Sequence, residues 1–269
     1  MMKKITLLFS ILILSATMHA QNLAEILQSK RDGYKITGFI NGLEESSVML
    51  AYYFGGKQYA KDTADVINGK FTFQGKEKLK GGMYLIVLSE DRYLDIIISE
   101  QYFSFSTELE DLYGAITFKN SKENPPFYEY LNFITRMQKE VSPIRKELES
   151  AKGNRKKVLQ EKAKKVDNDV KEYRTKFISN HSDKFFTKLV IANTEIEIPE
   201  APLDSTGNPD KNFPFFFYKK HFWDNIDFSD ERMLRTRVFF NKMTQYLEKL
   251  TVKHPDSINV SADILIAKS

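Results

Sequence analysis

The hydrophobic period of this chain changes once, at Pro125-Pro126, and that change constrains the fold more than any other feature. Ahead of it, "YKITGFI" from Tyr34 alternates apolar and polar residues, and "SVMLAYYF" from Ser47 is a β-branched and aromatic run. "GGMYLIVLS", "RYLDIIIS", "QYFSFST" and "GAITF" follow, each short and separated from the next by Gly, Asp, Glu or Ser. A period of two sends successive side chains to opposite faces, so these segments read as strands. "DVINGKFTFQG" sets Asn68-Gly69 between Val66-Ile67 and Phe71, a two-residue hairpin pattern in which both turn positions need positive φ. About eight strands between Tyr34 and Phe118, with close turns and no helix between them, predict an antiparallel β-sandwich.

Beyond the prolines, which suit the first turn of a helix, the spacing becomes four and three. One series runs through Tyr130, Ile134, Met137, Val141, Ile144, Leu148 and Ala151, and a second through Leu159, Ala163, Val166, Val170, Tyr173 and Phe177. Gly153-Asn154 breaks the two, so they predict an antiparallel pair of long helices, with Pro143 as a kink in the first. "HSDKFFTKLVIAN" then reads as a helix capped by Ser182, "PEAPLDSTGNPDKN" as a loop, and a further helix starts near Phe213. In "SDERMLRTRVFFNKMTQYLEKLTVKHP" the reading is one or two helices with Ser229 as N-cap, Asp230 and Glu231 in the first turn and Pro255 as a stop. "DSINVSADILIAKS" looks like a helix begun and not finished. The fold class is α+β: an N-terminal antiparallel β-sandwich, residues 21–119, followed by an all-α domain with a long helical hairpin, residues 120–269.

Residues 1–20 read as a signal peptide. Lys3 and Lys4 supply the positive start, "ITLLFSILILSA" is too short to span a bilayer comfortably, and Ala20 offers a cleavage point before Gln21. The expected location is periplasmic or secreted, and with no cysteine ahead of Ala20 to carry a lipid, no membrane association beyond export is implied. There are no cysteines in all 269 residues. Thiol chemistry, thiolate zinc sites and disulfides are therefore excluded, and stability must come from burial; 21 Phe and 13 Tyr supply the material.

The formal charge of +4 falls to about +2 once Lys3 and Lys4 leave with the signal, which gives no general argument for a polyanion, and no nucleic-acid partner is expected. Charge is concentrated locally: Lys139 to Phe177 holds 13 Lys or Arg against 7 Asp or Glu, on positions outside the apolar series, as a solvated helical face would.

The stretch with the most donor atoms is "YKKHFWDNIDFSDERMLRTRVF", Tyr218 to Phe239. His221 and Asp224 could share a helical face, but no pair repeats the spacing that holds a metal, and Asp230 and Glu231 are explained by helix electrostatics. None of the four histidines sits in a nucleophile motif. The expectation is therefore no catalytic, cofactor or metal residues, and an aromatic corner in which Arg232, Arg235 and Arg237 pair with the acids. Tyr53, His221 and Trp223 are retained as candidate binding residues.

"FYKKHFWDNIDFSDERMLRTRVF" with "YLEKLTVKHPDSINVSADILI" resembles the helical domain of unknown function found in exported thioredoxin-like proteins of the TlpA and peroxiredoxin-related type. "YKITGFINGL", "VMLAYYF", "KDTADVINGKFTFQG" and "MYLIVL" resemble the β-sandwich domain that precedes it in the same proteins. The resemblance implies a thiol-disulfide oxidoreductase when a thioredoxin domain with its Cys-x-x-Cys pair follows; these 269 residues contain neither. The chain is either a piece of a longer protein or a free-standing accessory unit. The functional expectation is an exported, non-catalytic module that positions or recognises a protein partner or small ligand, without a cofactor. The alternative is a glycan- or peptide-binding envelope protein that uses the sandwich through Tyr53, and a cysteine-free enzyme with a pocket of converging acids or His221 is the third reading.

Overall fold

A computed structural model describes residues 32–203 and 207–268. The predicted signal segment lies outside the described residues. Eight strands form two four-stranded sheets. The first carries β4 (Lys70–Gly75), β1 (Tyr34–Asn41), β7 (Tyr102–Glu108) and β8 (Thr117–Lys119) in that spatial order, and the second carries β3 (Lys57–Asp65), β2 (Ser47–Phe54), β5 (Gly82–Ser89) and β6 (Arg92–Ile98). All pairs are antiparallel except β1 with β7, which is parallel. The sandwich predicted from the sequence is present.

Its core is built by the alternation. Ile36, Ile40, Phe71, Phe73, Phe103 and Phe105 from the first sheet meet Val48, Leu50, Tyr84, Ile86, Leu94 and Ile96 from the second. The two sheets differ in how they treat their other face. In the first, Lys35, Thr37, Ser104 and Ser106 point away from the core, whereas in the second Ala51, Tyr53, Leu85 and Ile97 are also buried. A sheet covered on both faces needs apolar residues in succession, which is why "SVMLAYYF" and "MYLIVL" do not alternate.

Two local features depart from the expectation. Asn68 and Gly69 do form the tight turn, with φ of 51° and 73° and reciprocal Ile67 and Lys70 backbone bonds of 2.9 and 3.0 Å. Yet the strands on either side belong to different sheets, so the turn is a corner of the sandwich. The strand entering it is β3, nine residues starting at Lys57 and mostly exposed. As an edge strand with little buried surface it carries no apolar alternation, and "KQYAKDTAD" gives no sequence signal of its length.

The helical part begins with α1 (Asn124–Leu148), with proline in its first turn, and α2 (Gly153–Asn180) returns beside it. Val141, Ala163 and Val166 form their shared seam with Met137 and Ile144. Pro143 lies within α1 without ending it. The cationic surface of this pair is solvated and laced by exposed ion pairs, Arg145 to Asp167 at 2.9 Å and Arg155 to Glu147 at 2.6 Å, the kind that contribute little each. Then come α3 (Phe185–Ala192), α4 (Phe213–His221), a 3-10 turn (Glu231–Arg235), α5 (Arg237–Lys249) and α6 (Pro255–Ile266). No helix among the described residues is long and apolar enough to cross a membrane.

The predicted caps are replaced. Ser182 does not cap α3; the carboxylate of Glu123, 62 residues earlier, accepts from Phe185 N at 2.9 Å and Phe186 N at 3.3 Å. Asp230, not Ser229, caps the 3-10 turn, and Thr236 caps α5. Pro255 opens α6 rather than stopping α5, because the first helical position has no intrahelical use for an N–H.

Helical part and sandwich share one continuous core, in which Phe127 meets Phe186 at 4.8 Å and Phe222 and Trp223 join the residues of both sheets. Asn124, fully buried, ties α1 to the edge strand β6: its Nδ2 donates to Ile97 O at 2.9 Å and its Oδ1 accepts from Ile97 N at 2.8 Å. Tyr128, one turn on, donates to Asp95 O at 2.8 Å. The 3-10 turn packs so close to β5 that a Cβ at Gly82, which has φ of 138°, would stand 2.5 Å from Arg235 Cβ.

Two outcomes follow for urea unfolding. Glu123→Ala strips both N–H partners from the buried end of α3 and should lower the unfolding free energy by about 1–3 kcal/mol. Gly82→Ala should cost about 1–3 kcal/mol by pushing the 3-10 turn off the sheet, while Gly153→Ala, with open space around it, should cost less.

Candidate functional site

The donor-rich stretch from Tyr218 to Phe239 does not converge on a site. His221 ends α4, and its Nδ1 lies 2.6 Å from Asp224 Oδ2, a local pair on the surface. Asp227 and Asp230 turn the other way, each 2.7 Å from Lys188 Nζ on α3. Arg232 grips Asp230 with two bonds, 2.8 Å from Nε and 2.6 Å from Nη2. Burial works against the charged form of Asp230, but Arg232 and Lys188 outweigh it and hold the carboxyl well below the usual range. Among the described residues no three His, Asp or Glu groups could hold a metal ion.

Arg235 and Arg237 do not pair with the acids as expected. Arg235 donates to the carbonyls of Gly81 and Glu231, and Arg237 lies over the ring of Tyr53, 5.7 Å from its centroid. Trp223 is only 2% exposed and packs edge-on against Phe222, Phe228 and Tyr246; its Nε1–H has no acceptor among the described residues.

A concavity lies where the helical part meets the second sheet. It is a cavity of about 460 Å³, of the size small-molecule pockets occupy. The sheet supplies Tyr53 from β2, Met83 from β5, and Tyr93 and Asp95 from β6. Helices close it: Tyr130 of α1, Val170 and Arg174 of α2, Phe186, Leu189 and Val190 of α3, and Val238 with Arg237 at the start of α5. Tyr53 is thus enclosed at 6% exposure rather than presented on the outside of the sandwich.

Three charged side chains line this largely apolar space. Asp95 makes no side-chain hydrogen bond and no ion pair among the described residues, and burial pushes its carboxyl up to about 6 despite Arg237 nearby. Tyr53 is pushed upward by burial and by Asp95, and neighbouring Tyr113, which donates to Tyr93 O, goes up to about 12 for the same reasons. Arg174 and Arg237 have no carboxylate within salt-bridge distance among the described residues. The arrangement can hold an apolar body and face it with cationic groups. Of the candidates taken from the sequence, Tyr53 lies in this cavity; His221 and Trp223 do not line it. Sequence reasoning missed Asp95, Arg174 and Tyr130. The signal for Asp95 is its position in "RYLDIII", where it interrupts an otherwise apolar run.

Fold and cavity together define a cysteine-free module of a β-sandwich and a helical layer that share one core. Comparison with known families places both parts. Residues 34–127 match a domain of unknown function, DUF4369, and residues 151–269 match a second domain of unknown function, DUF5106. Neither description carries an activity. No curated protein and no solved structure matches significantly.

The pH dependence of stability should expose Asp95. A carboxyl raised to about 6 contributes stability that is fully present below its ordinary range and is lost as pH rises through 6. Asp95→Asn should therefore become the more stable protein between pH 4 and pH 7, by about 2 kcal/mol at neutral pH, in urea unfolding followed at several pH values. Parallel curves for the two proteins across that range would exclude the strained carboxyl.

Proposed function

We propose that this chain is an exported, non-catalytic binding module related to the N-terminal region of TlpA-like thiol-disulfide oxidoreductases. The observation that carries the binding role is the cavity, bounded by side chains from both matched domains, with Tyr53, Tyr93 and Asp95 on one side and Arg174 and Arg237 on the other elements. The absence of cysteine from the 269 residues supports a non-catalytic role in thiol chemistry. Export rests on Lys3, Lys4 and the apolar run from Ile5 to Ala16 ahead of Ala20. The link to thioredoxin-like proteins rests on the resemblance of the two domains in this order.

In this reading the sandwich is a platform and the helical layer a cover, and what binds between them reports to a partner domain or protein. A glycan platform through Tyr53 is the weaker reading, because stacking on a sugar needs an accessible ring and Tyr53 is covered by Arg237.

Two measurements on the purified chain test the proposal. Insulin reduction with dithiothreitol should proceed at the rate of the reagent alone. Calorimetric screening of organic acids, amines, short peptides and oligosaccharides should give saturable heat for at least one class, weakened by Tyr53→Ala. Catalysed insulin reduction, or no saturable binding in any class, would defeat it.

A further inference from the structure

We infer that the cavity between sandwich and helices is a binding site for a small organic acid: one carboxylate on an apolar, aromatic-sized body. This deepens the binding-module reading and rests on it. The apolar part of the ligand is set by the walls. Met83, Val170, Leu189 and Val190 offer no hydrogen bonds, and Tyr130 and Phe186, 5.4 Å apart at 69°, give a ring-lined surface that suits a second ring.

The charge of the ligand is set by the cations that line the cavity. On the neighbouring surface Lys188 is held by Asp227 and Asp230, and Arg232 by Asp230. Arg174, half-buried, and Arg237, more exposed, line the cavity, and neither has a carboxylate within salt-bridge distance among the described residues, Asp95 being the nearby acid. Arg237 also occupies the first position of α5, where the helix dipole disfavours a cation. Its contact in the fold is the face of the Tyr53 ring, which leaves its N–H groups open to a ligand. A guanidinium is suited to two-point recognition of a carboxylate, and α2 and α5 each bring one to this apolar space.

Asp95 is the one wall group that opposes an anion, and burial already favours its neutral form. When protonated it donates a hydrogen bond and joins the recognition. The groups around it are Tyr53 and Arg237, which line the same cavity, Tyr93 on its own strand, Tyr113, and Tyr128 bonded to its backbone carbonyl. Burial raises Tyr53, Tyr113 and Tyr128, and no histidine lines the space, so acid-side titration of the site belongs to Asp95. Binding of a carboxylate should accordingly tighten as pH falls from 7.5 to 5.5.

The test compares three probes with one body and different heads: 4-phenylbutyrate, 4-phenylbutylamine and 4-phenylbutanol, by calorimetry at pH 7.5 and 5.5. The acid should bind best at both pH values. Arg174→Gln and Arg237→Gln should each weaken it about tenfold or more, the loss expected for one charge-assisted bond. Arg237 is exposed and Arg174 half-buried, and thermal unfolding of each variant checks that it folds. Asp95→Asn should bind the acid at pH 7.5 as tightly as the wild type does at pH 5.5, with no further pH dependence. A short peptide ending in phenylalanine serves as a fourth probe and should not compete with 4-phenylbutyrate. The inference fails if the amine or alcohol binds as well as the acid, if neither arginine variant weakens it, or if only the peptide binds. If all three phenyl probes give no heat while another class in the wider screen does, the organic-acid assignment falls and the binding-module reading stands.

Discussion

Two adjacent side chains, Glu123 and Asn124, hold the two halves of this protein together. Asn124 behaves as one more residue of the second sheet, pairing both backbone groups of Ile97 on the edge strand. Glu123 reaches the other way and supplies acceptors to the first two N–H groups of α3. Both are almost fully buried, where a carboxylate or amide without partners would cost several kcal/mol, so the geometry is tightly determined. Once it is set, the direction of α1 is fixed, α3 lies beneath it, and Phe127, Tyr130, Phe177 and Phe186 interlock.

The outer face of the second sheet depends on that joint. Without the helical cover, Ala51, Tyr53 and Leu85 would be solvated; with it, they form a second buried cluster apart from the sandwich core. The cover is tight at β5, where Gly81 and Gly82 admit Arg232 and Arg235, and loose over Tyr53, Tyr93 and Asp95, where the cavity remains. The same approach brings Arg237 above Tyr53 and leaves Asp95 in a setting that disfavours its charge.

Much of the architecture was legible because it follows from local rules. Strict alternation in "YKITGFI" marks a sheet with one face in water, the four-three spacing marks α1 and α2, and Asn68-Gly69 marks a turn that only positive φ allows. The misreadings occur where a long-range partner won over a local one. Ser182 is a good cap by itself, but Glu123 is delivered to the same helix end by the α1 joint. The turn at Asn68-Gly69 was recognised, yet no local property says that its two strands will enter different sheets. Arg237 looked like a partner for nearby acids; Lys188 and Arg232 took those acids first.

The sequence by itself determined the class of fold, the lack of thiol chemistry and the identity of the aromatic core, because composition and period are properties of the chain alone. Continuous apolar runs in β2, β5 and β6 even carried the information that one sheet is covered twice. Tertiary structure alone decided where the cover leaves a gap and which charges face it. Tyr53, Asp95, Arg174 and Arg237 are separated by up to 184 positions, and nothing in their own neighbourhoods relates them. Their meeting depends on how closely the helices can approach the second sheet, a contact that is tight at Gly81 and Gly82 and leaves a gap over Tyr53, Tyr93 and Asp95.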